Sequence, residues 1–149
     1  MKDSHIGTYG VVGLLFYFLL FWQLPGELPL AVLCALALCC DCWSKFCASQ
    51  IINYLPYARP EAESKAKVVY SGMSRGELIT AFVSGILPLL FLLPLRLWPA
   101  TVAPMFAFLL LCRLLKKRLQ GYTGDCCGAM FLLCEISFYL CAVILWKLL

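Results

Sequence analysis

Long apolar runs dominate this sequence and leave only short polar stretches between them. Apolar and aromatic residues make up 63% of the 149 residues, and charged residues make up only 13%. A soluble domain usually has about 45–50% apolar and roughly 25% charged residues. Because one small globule cannot bury so much apolar surface, lipid must solvate part of it. The sequence therefore predicts an all-α fold, a polytopic membrane helix bundle.

The apolar runs predict about five transmembrane helices in a single domain, since a helix needs about 20 apolar residues to cross the bilayer core. Pro88 and Pro94 are expected to kink or shorten the third helix. One alternative stays open, in which the two short spans around the segment from Pro88 to Pro104 form a single re-entrant hairpin. The predicted spans cover residues 6–24, 28–43, 78–95, 101–115 and 128–146.

The basic residues predict the orientation, because cytoplasmic loops carry an excess of lysine and arginine. With a cytoplasmic N-terminus, all but two of the 12 lysines and arginines fall on the inner side, and only Arg96 and Lys147 fall outside. We therefore expect a multi-pass membrane protein whose N-terminus faces the cytoplasm. The basic residues assigned to the inner loops are Lys2, Lys45, Arg59, Lys65, Lys67, Arg75, Arg113, Lys116, Lys117 and Arg118.

The ten cysteines do not form a recognisable metal-binding pattern. Cys39 and Cys42 have CxxC spacing, but no second CxxC exists and the only histidine is His5. A structural zinc site needs four cysteine or histidine ligands at defined spacing. We interpret the cysteines as small apolar residues of membrane helices.

Two acidic positions lie next to predicted helix ends. Asp3 precedes the first span, where its carboxylate could hold a divalent cation or simply cap the helix. Asp125 ends the segment Gly121-Tyr122-Thr123-Gly124-Asp125, which follows a basic run. Glycines let backbone N–H groups approach an anion, and a helix start suits a phosphate. The alternative is a glycine-rich turn with an aspartate cap, behind basic residues that contact lipid headgroups.

Two further ionisable residues are candidates. Glu135 lies inside the fifth predicted span, where an ionisable group is costly and indicates function. It shares a helix face with Gly128, although a structural polar contact between helices would also explain it. Arg59 could clamp a phosphate or could serve only as a positive-inside charge. The sequence contains neither a P-loop nor a dinucleotide-binding fingerprint.

Three segments resemble the adenosylcobinamide-GDP ribazoletransferase family, also called cobalamin synthase. The opening Met-Lys-Asp-Ser-x-Ile-Gly-Thr-Tyr-Gly is similar to a segment in the middle of that family. Gly-Tyr-Thr-Gly-Asp-x-x-Gly-Ala followed by Glu135 resembles its C-terminal signature, and Tyr57-Ala58-Arg59 is similar to one of its loops. The resemblance spans nearly the whole chain, in the family's order.

The resemblance implies a transferase of the bacterial cytoplasmic (inner) membrane that joins adenosylcobinamide-GDP to α-ribazole or its 5′-phosphate. The products are adenosylcobalamin or its 5′-phosphate, with GMP released. It implies Mg²⁺ as cofactor, the corrinoid nucleotide and α-ribazole as substrates, membrane lipid as surroundings, and no nucleic-acid partner. The implied catalytic and metal-binding residues are Asp3 and Asp125, and the implied substrate-binding residues are Arg59, Gly121, Tyr122, Thr123, Gly124 and Glu135.

The chain also departs from the family pattern. The family carries an acidic motif, Asp-Gly-x-x-Asp-x-x-Asp-Gly, ahead of the Met-Lys-Asp-Ser segment, and this sequence has none. His5 stands where arginine is usual. We therefore expect the C-terminal part of a longer enzyme, incomplete on its own, with a second chain or other cobalamin-assembly enzymes as partners. The alternatives are a non-catalytic membrane scaffold or assembly subunit, and a small transporter built around Glu135.

Overall fold

The computed structural model describes residues 8–58 and 72–148, and within them every regular element is a helix. The six α-helices are α1 (Thr8–Gly26), α2 (Leu30–Ser49), α3 (Ile51–Tyr54), α4 (Arg75–Leu92), α5 (Val102–Leu119) and α6 (Gly124–Leu148). A 3-10 helix, Leu95–Thr101, leads directly into α5. The predicted all-α polytopic bundle is confirmed.

Four helical segments among the described residues are long and apolar enough to cross a bilayer. They are Leu30–Tyr54, Arg75–Leu92, Leu95–Leu119 and Gly124–Leu148. The first predicted span corresponds to a shorter apolar helix, Gly10–Gly26. The region around Pro88 to Pro104 holds two separate helices, and whether each of them crosses the bilayer or both form one re-entrant hairpin stays a prediction.

The helix ends differ from the predicted spans because polar residues prolong the helices. Helix α4 begins at Arg75, where a capping box joins Ser74 and Glu77: the Ser74 amide donates to Glu77 Oε2 at 2.7 Å. It ends at Leu92, since Leu93 precedes Pro94 and takes an extended conformation. Pro88 lies inside the helix. Lys45, assigned above to a loop, lies inside α2.

Helices α2 and α6 form the centre of the bundle and run antiparallel. The Cys40 thiol donates to the Glu135 carbonyl oxygen at 3.4 Å. Helix α4 packs on α2 at Gly85, where an added Cβ would lie 2.9 Å from Phe46 Cβ. Such close contact is how small residues join membrane helices. Helix α5 packs on α6, where the Cys134 thiol donates to the Pro104 carbonyl oxygen at 3.4 Å.

Most of the charged residues that the structure describes lie at two opposite ends of this bundle. At one end, Lys147 Nζ lies 2.7 Å from Glu27 Oε2, and the Arg96 guanidinium stacks 3.4 Å above the Trp146 ring centroid. We call this the Glu27 end. The other end, the motif end, carries the loop after α3, the last turn of α5 and the start of α6. Arg96 and Lys147, the two residues predicted to lie outside, thus share one end, and the assignment of the motif end to the cytoplasm stays a prediction.

Candidate functional site

Two loops that are distant in sequence pair through their backbones at the motif end. The Ala58 amide donates to the Tyr122 carbonyl oxygen at 2.9 Å, and the Tyr122 amide donates to the Pro56 carbonyl oxygen at 3.0 Å. These bonds form an isolated parallel bridge between Tyr57 and Tyr122. The loop that leads to Arg59 is therefore fixed against the glycine-rich motif.

Gly121 is required by this pairing rather than by an unusual backbone angle. A Cβ added at Gly121 would lie 2.6 Å from the Pro56 carbonyl oxygen and 3.0 Å from Ala58 Cβ. The left-handed residue that ends α5 is Gln120 instead, with φ of 55°. Gly121 thus allows the two loops to touch.

Tyr122 supports the site from inside the protein. Its side chain is only 1% exposed, and its ring meets the Tyr57 ring edge-on with centroids 5.5 Å apart. Buried aromatic pairs in this arrangement are favourable beyond the area that they bury. Because it is enclosed, Tyr122 holds the two loops together, and its predicted contact with substrate stays a prediction.

Thr123 organises the start of α6. Its carbonyl oxygen accepts hydrogen bonds from the amides of Cys126 at 3.0 Å and Cys127 at 3.3 Å. Its hydroxyl lies 3.2 Å from Cys126 Sγ. The Thr123 hydroxyl thus has a partner within the first turn of α6, and these contacts fix the conformation of that turn.

Asp125 stands exposed in the first turn of α6. A carboxylate is favourable at this position because it lies near the positive end of the helix dipole. Asp125 makes no hydrogen bond or ion pair with another residue of the described ranges 8–58 and 72–148. It also borders a groove of about 290 Å³ between α5 and α6, whose other lining residues are Leu111, Leu114, Leu115, Cys126, Ala129 and Met130. The carboxylate is available to a ligand or cation.

Three basic side chains lie beside the glycine-rich motif at this end of the bundle. Lys116, Lys117 and Arg118 occupy the last turn of α5, immediately before the glycine-rich motif. None of them is among the ion pairs of the described residues, which are Lys45–Asp41 and Lys147–Glu27. These charges favour an anion at the motif end.

The predicted site is only partly brought together. Asp3 and Arg59 lie outside the described residues, although Ala58, the residue before Arg59, is bonded to Tyr122. Glu135 lies ten residues beyond Asp125 on α6, which places it about 15 Å further along the helix and roughly 80° around it. Glu135 therefore lies apart from the motif end, deep in the bundle.

The oxygen donors fit magnesium only in part. Among the described residues no group of three or more histidine, cysteine, aspartate or glutamate side chains lies close enough to hold a metal ion. Magnesium is often held by one or two carboxylates together with substrate phosphates and water. Asp125 supplies one carboxylate of the required chemistry.

The comparison with protein families bears directly on these motifs. The family model described as cobalamin-5-phosphate synthase matches residues 1–143, which include both paired loops. The chain belongs to the cobalamin-5-phosphate synthase family. The resemblance seen in the sequence motifs is thereby confirmed.

Two Shewanella relatives in the cobalamin-5-phosphate synthase family are longer than this chain, which spans somewhat more than half of their length. The adenosylcobinamide-GDP ribazoletransferase of Shewanella sp. (strain W3-18-1) is 34% identical over 152 residues, covering 100% of this chain and 58% of the relative. That of Shewanella amazonensis (strain ATCC BAA-1098 / SB2B) is 35% identical, covering 99% of this chain and 58% of the relative. No solved structure matches the chain.

Sequence reasoning missed the contact that organises the motif end. It named Tyr57, Ala58 and the Gly121–Asp125 segment separately, but it did not predict that Ala58 and Tyr122 are bonded. It also missed the side chain of Asn53, whose Oδ1 accepts the Met73 amide at 2.9 Å. The glycine at position 121 was the one available signal, because glycine indicates close approach of another backbone.

Proposed function

We propose that this chain provides part of the active site of an adenosylcobinamide-GDP ribazoletransferase. The proposed reaction joins adenosylcobinamide-GDP to α-ribazole or its 5′-phosphate, and it releases GMP. The observation that carries the proposal is the pairing of Ala58 with Tyr122. It brings the segment that precedes Arg59 against the Gly121–Asp125 motif, at an end of the bundle rich in basic residues.

The proposed chemistry needs positioning and charge neutralisation more than covalent catalysis. A hydroxyl of α-ribazole attacks the phosphorus atom that carries the corrinoid, the P–O bond to GMP breaks, and the hydroxyl proton passes to a base. Groups that neutralise the diphosphate lower the barrier to such a transfer. Lys116, Lys117 and Arg118 are suited to this role, because none of them is held by an ion pair with a described residue.

The start of α6 is proposed to bind the diphosphate. Free N–H groups and the helix dipole make a helix N-terminus an anion site, and Gly124 keeps its first position open, since an added Cβ would meet nothing within 4 Å. Arg59 is proposed to add a bidentate contact. Gly121, Tyr122 and Thr123 are proposed to keep this surface in shape.

We propose Mg²⁺ as the cofactor, with Asp125 and Asp3 as the residues that would hold it. When bound, Mg²⁺ would neutralise charge on the diphosphate oxygens. We propose the bacterial cytoplasmic membrane as the location, with the motif end facing the cytoplasm, because that end carries most of the basic residues of the described ranges.

A reconstitution assay tests this function. The chain is placed in lipid nanodiscs, alone and together with the part of the Shewanella sp. (strain W3-18-1) relative that lies outside the match. GMP release is measured with adenosylcobinamide-GDP, α-ribazole and MgCl₂. We expect GMP release from the combined sample and a loss of about 100-fold or more in Asp125→Asn, in line with the loss of a transition-state contact.

Two controls make the result interpretable. Glu27→Gln changes a carboxylate at the opposite end of the bundle and should leave GMP release unchanged. The intact Shewanella relative should be active under the same conditions. An active relative beside an inactive combined sample, or full activity in Asp125→Asn, would favour the alternative of a non-catalytic membrane scaffold.

A further inference from the structure

One face of α6 is covered along the half nearer the Glu27 end and open along the half nearer the motif end. Gly128, Phe131, Glu135, Phe138 and Ala142 lie on this face, because residues three, four and seven apart share one side of a helix. Phe138 and Ala142 are fully buried. Gly128, on the same face nearer the motif end, is exposed, and a Cβ added there would meet nothing within 4 Å. Among the described residues, no side chain packs against α6 at Gly128.

Glu135 marks the point at which the cover ends. The residue is only 9% exposed, yet its carboxylate has no hydrogen bond or ion pair with any residue of the ranges 8–58 and 72–148. The carboxylate oxygens of Glu135 keep some exposed surface, because they do not belong to the fully buried polar atoms without a hydrogen bond. A carboxylate deep in a membrane helix is costly unless a partner faces it.

An ion pair on α2 borders the same opening. Lys45 Nζ lies 2.8 Å from Asp41 Oδ2, and their side chains are 63% and 39% exposed. Lys45 Nζ also lies 5.6 Å from the centroid of the Phe131 ring, one turn from Glu135 on α6. The pair is placed well inside the span Leu30–Tyr54, where exposure of charges to lipid is expensive.

Helix α1 covers only the part of this face that is nearer the Glu27 end. Phe21 meets Tyr139 edge-on with ring centroids 5.8 Å apart. Towards the N-terminus of α1, the residues from Gly10 to Phe16 are all exposed. Among residues 8–58 and 72–148, no helix covers the part of this face nearer the motif end, which we call the open face. It consists of Asp41, Lys45, Gly128, Phe131 and Glu135.

We propose that the open face docks a transmembrane helix that carries a basic or amide side chain opposite Glu135. Gly128 allows a second helix backbone to approach closely, and polar side chains hold membrane helices together. Because Asp41 and Lys45 pair with each other, the Glu135 carboxyl group is left without a partner among the described residues, and a donor side chain complements it. The docked helix belongs to the part of the longer relatives that this chain does not match. The chain covers only 58% of its Shewanella sp. relative. The inference rests on family membership and not on the proposed reaction.

Co-purification tests the docking. The part of the Shewanella sp. relative outside the match is co-expressed with the tagged chain in a bacterial membrane and recovered after mild detergent extraction. We expect recovery with the wild-type chain and a loss of at least fivefold in Gly128→Leu and in Glu135→Ala. Gly76→Leu is the matched control, because Gly76 is also an exposed helical glycine with nothing within 4 Å of an added Cβ.

A photo-crosslinker placed at Lys45 locates the contact, and one placed at Phe91 on α4 serves as the control. We expect the co-expressed segment to crosslink from position 45 and not from position 91. The proposal is overturned if the wild-type chain recovers no segment, if Gly128→Leu behaves as Gly76→Leu does, or if position 45 crosslinks only a second copy of the chain. Since the readout is association and not turnover, Asp125→Asn should recover the segment as wild type does, which separates a failure of docking from a failure of catalysis.

Discussion

The amide of Ala58 donates a 2.9 Å hydrogen bond to the carbonyl oxygen of Tyr122. This bond joins the end of the α2–α3 segment to the loop between α5 and α6. It fixes two sequence motifs of the family at one end of the bundle, beside the exposed carboxylate of Asp125.

Gly121→Ala should separate these two loops. An added Cβ would lie 2.6 Å from the Pro56 carbonyl oxygen, so the pairing must shift, at a cost of about 1–3 kcal/mol in the free energy of unfolding. Unfolding in mixed detergent measures the change. Gly76→Ala is the control, because the space around Gly76 is open and alanine favours a helix by roughly 0.5–1 kcal/mol. Equal effects of the two substitutions would contradict the close approach.

Phe138→Ala and Phe91→Ala should differ sharply. Phe138 is fully buried, whereas Phe91 on α4 is 79% exposed on a helix suited to lipid contact. Loss of the Phe138 ring leaves a cavity and should cost about 3–5 kcal/mol. Loss of the Phe91 ring should cost much less, because lipid fills the space. Detergent unfolding of both variants checks the arrangement, and similar losses would argue against α6 as the centre of the bundle.

The Glu27–Lys147 pair should make stability depend on acid pH. The hydrogen bond from Lys147, and then its charge, hold the pKa of Glu27 below its ordinary value. A lowered pKa contributes stability above the ordinary glutamate pKa, and this contribution is lost as the pH falls through the lowered value. The melting temperature of wild type should therefore exceed that of Glu27→Gln slightly at neutral pH, and the difference should shrink below about pH 4.

The effect should be small because the pair is exposed, and salt should weaken it. Lys147→Met serves as the matched control, since it removes the other partner. A difference between wild type and Glu27→Gln that persists unchanged in strong acid would contradict the pairing.

The apolar runs were sufficient to predict the fold class, because only lipid can solvate so much apolar surface in a chain of this length. Helix ends were harder to predict, since a hydropathy boundary marks the membrane and not the end of hydrogen bonding. Helix α4 begins three residues before the predicted span, at the Ser74–Glu77 capping box, a signal that the sequence does contain. Lys45 was assigned to a loop because it is charged, but Asp41 pairs with it on the same helix.

The candidate site was predictable as a set of motifs and not as a geometry. The segment Gly121–Asp125 stood out by its residue types, and Asp125 does open a helix as expected. The contact between Ala58 and Tyr122 depends on how α2 and α5 end in space, which no local pattern encodes. Glu135 shares the helix of Asp125, but the rise over ten residues of that helix separates the two by about 15 Å.

Equilibrium binding of adenosylcobinamide-GDP to the chain in nanodiscs tests most directly whether the paired loops form a diphosphate site. With MgCl₂ present, we predict saturable binding by wild type and by Glu27→Gln. We predict weakening by about tenfold or more in Asp125→Ala, consistent with the loss of a charged contact. Binding that is absent from a folded wild-type chain, or equal in wild type and Asp125→Ala, would contradict the account.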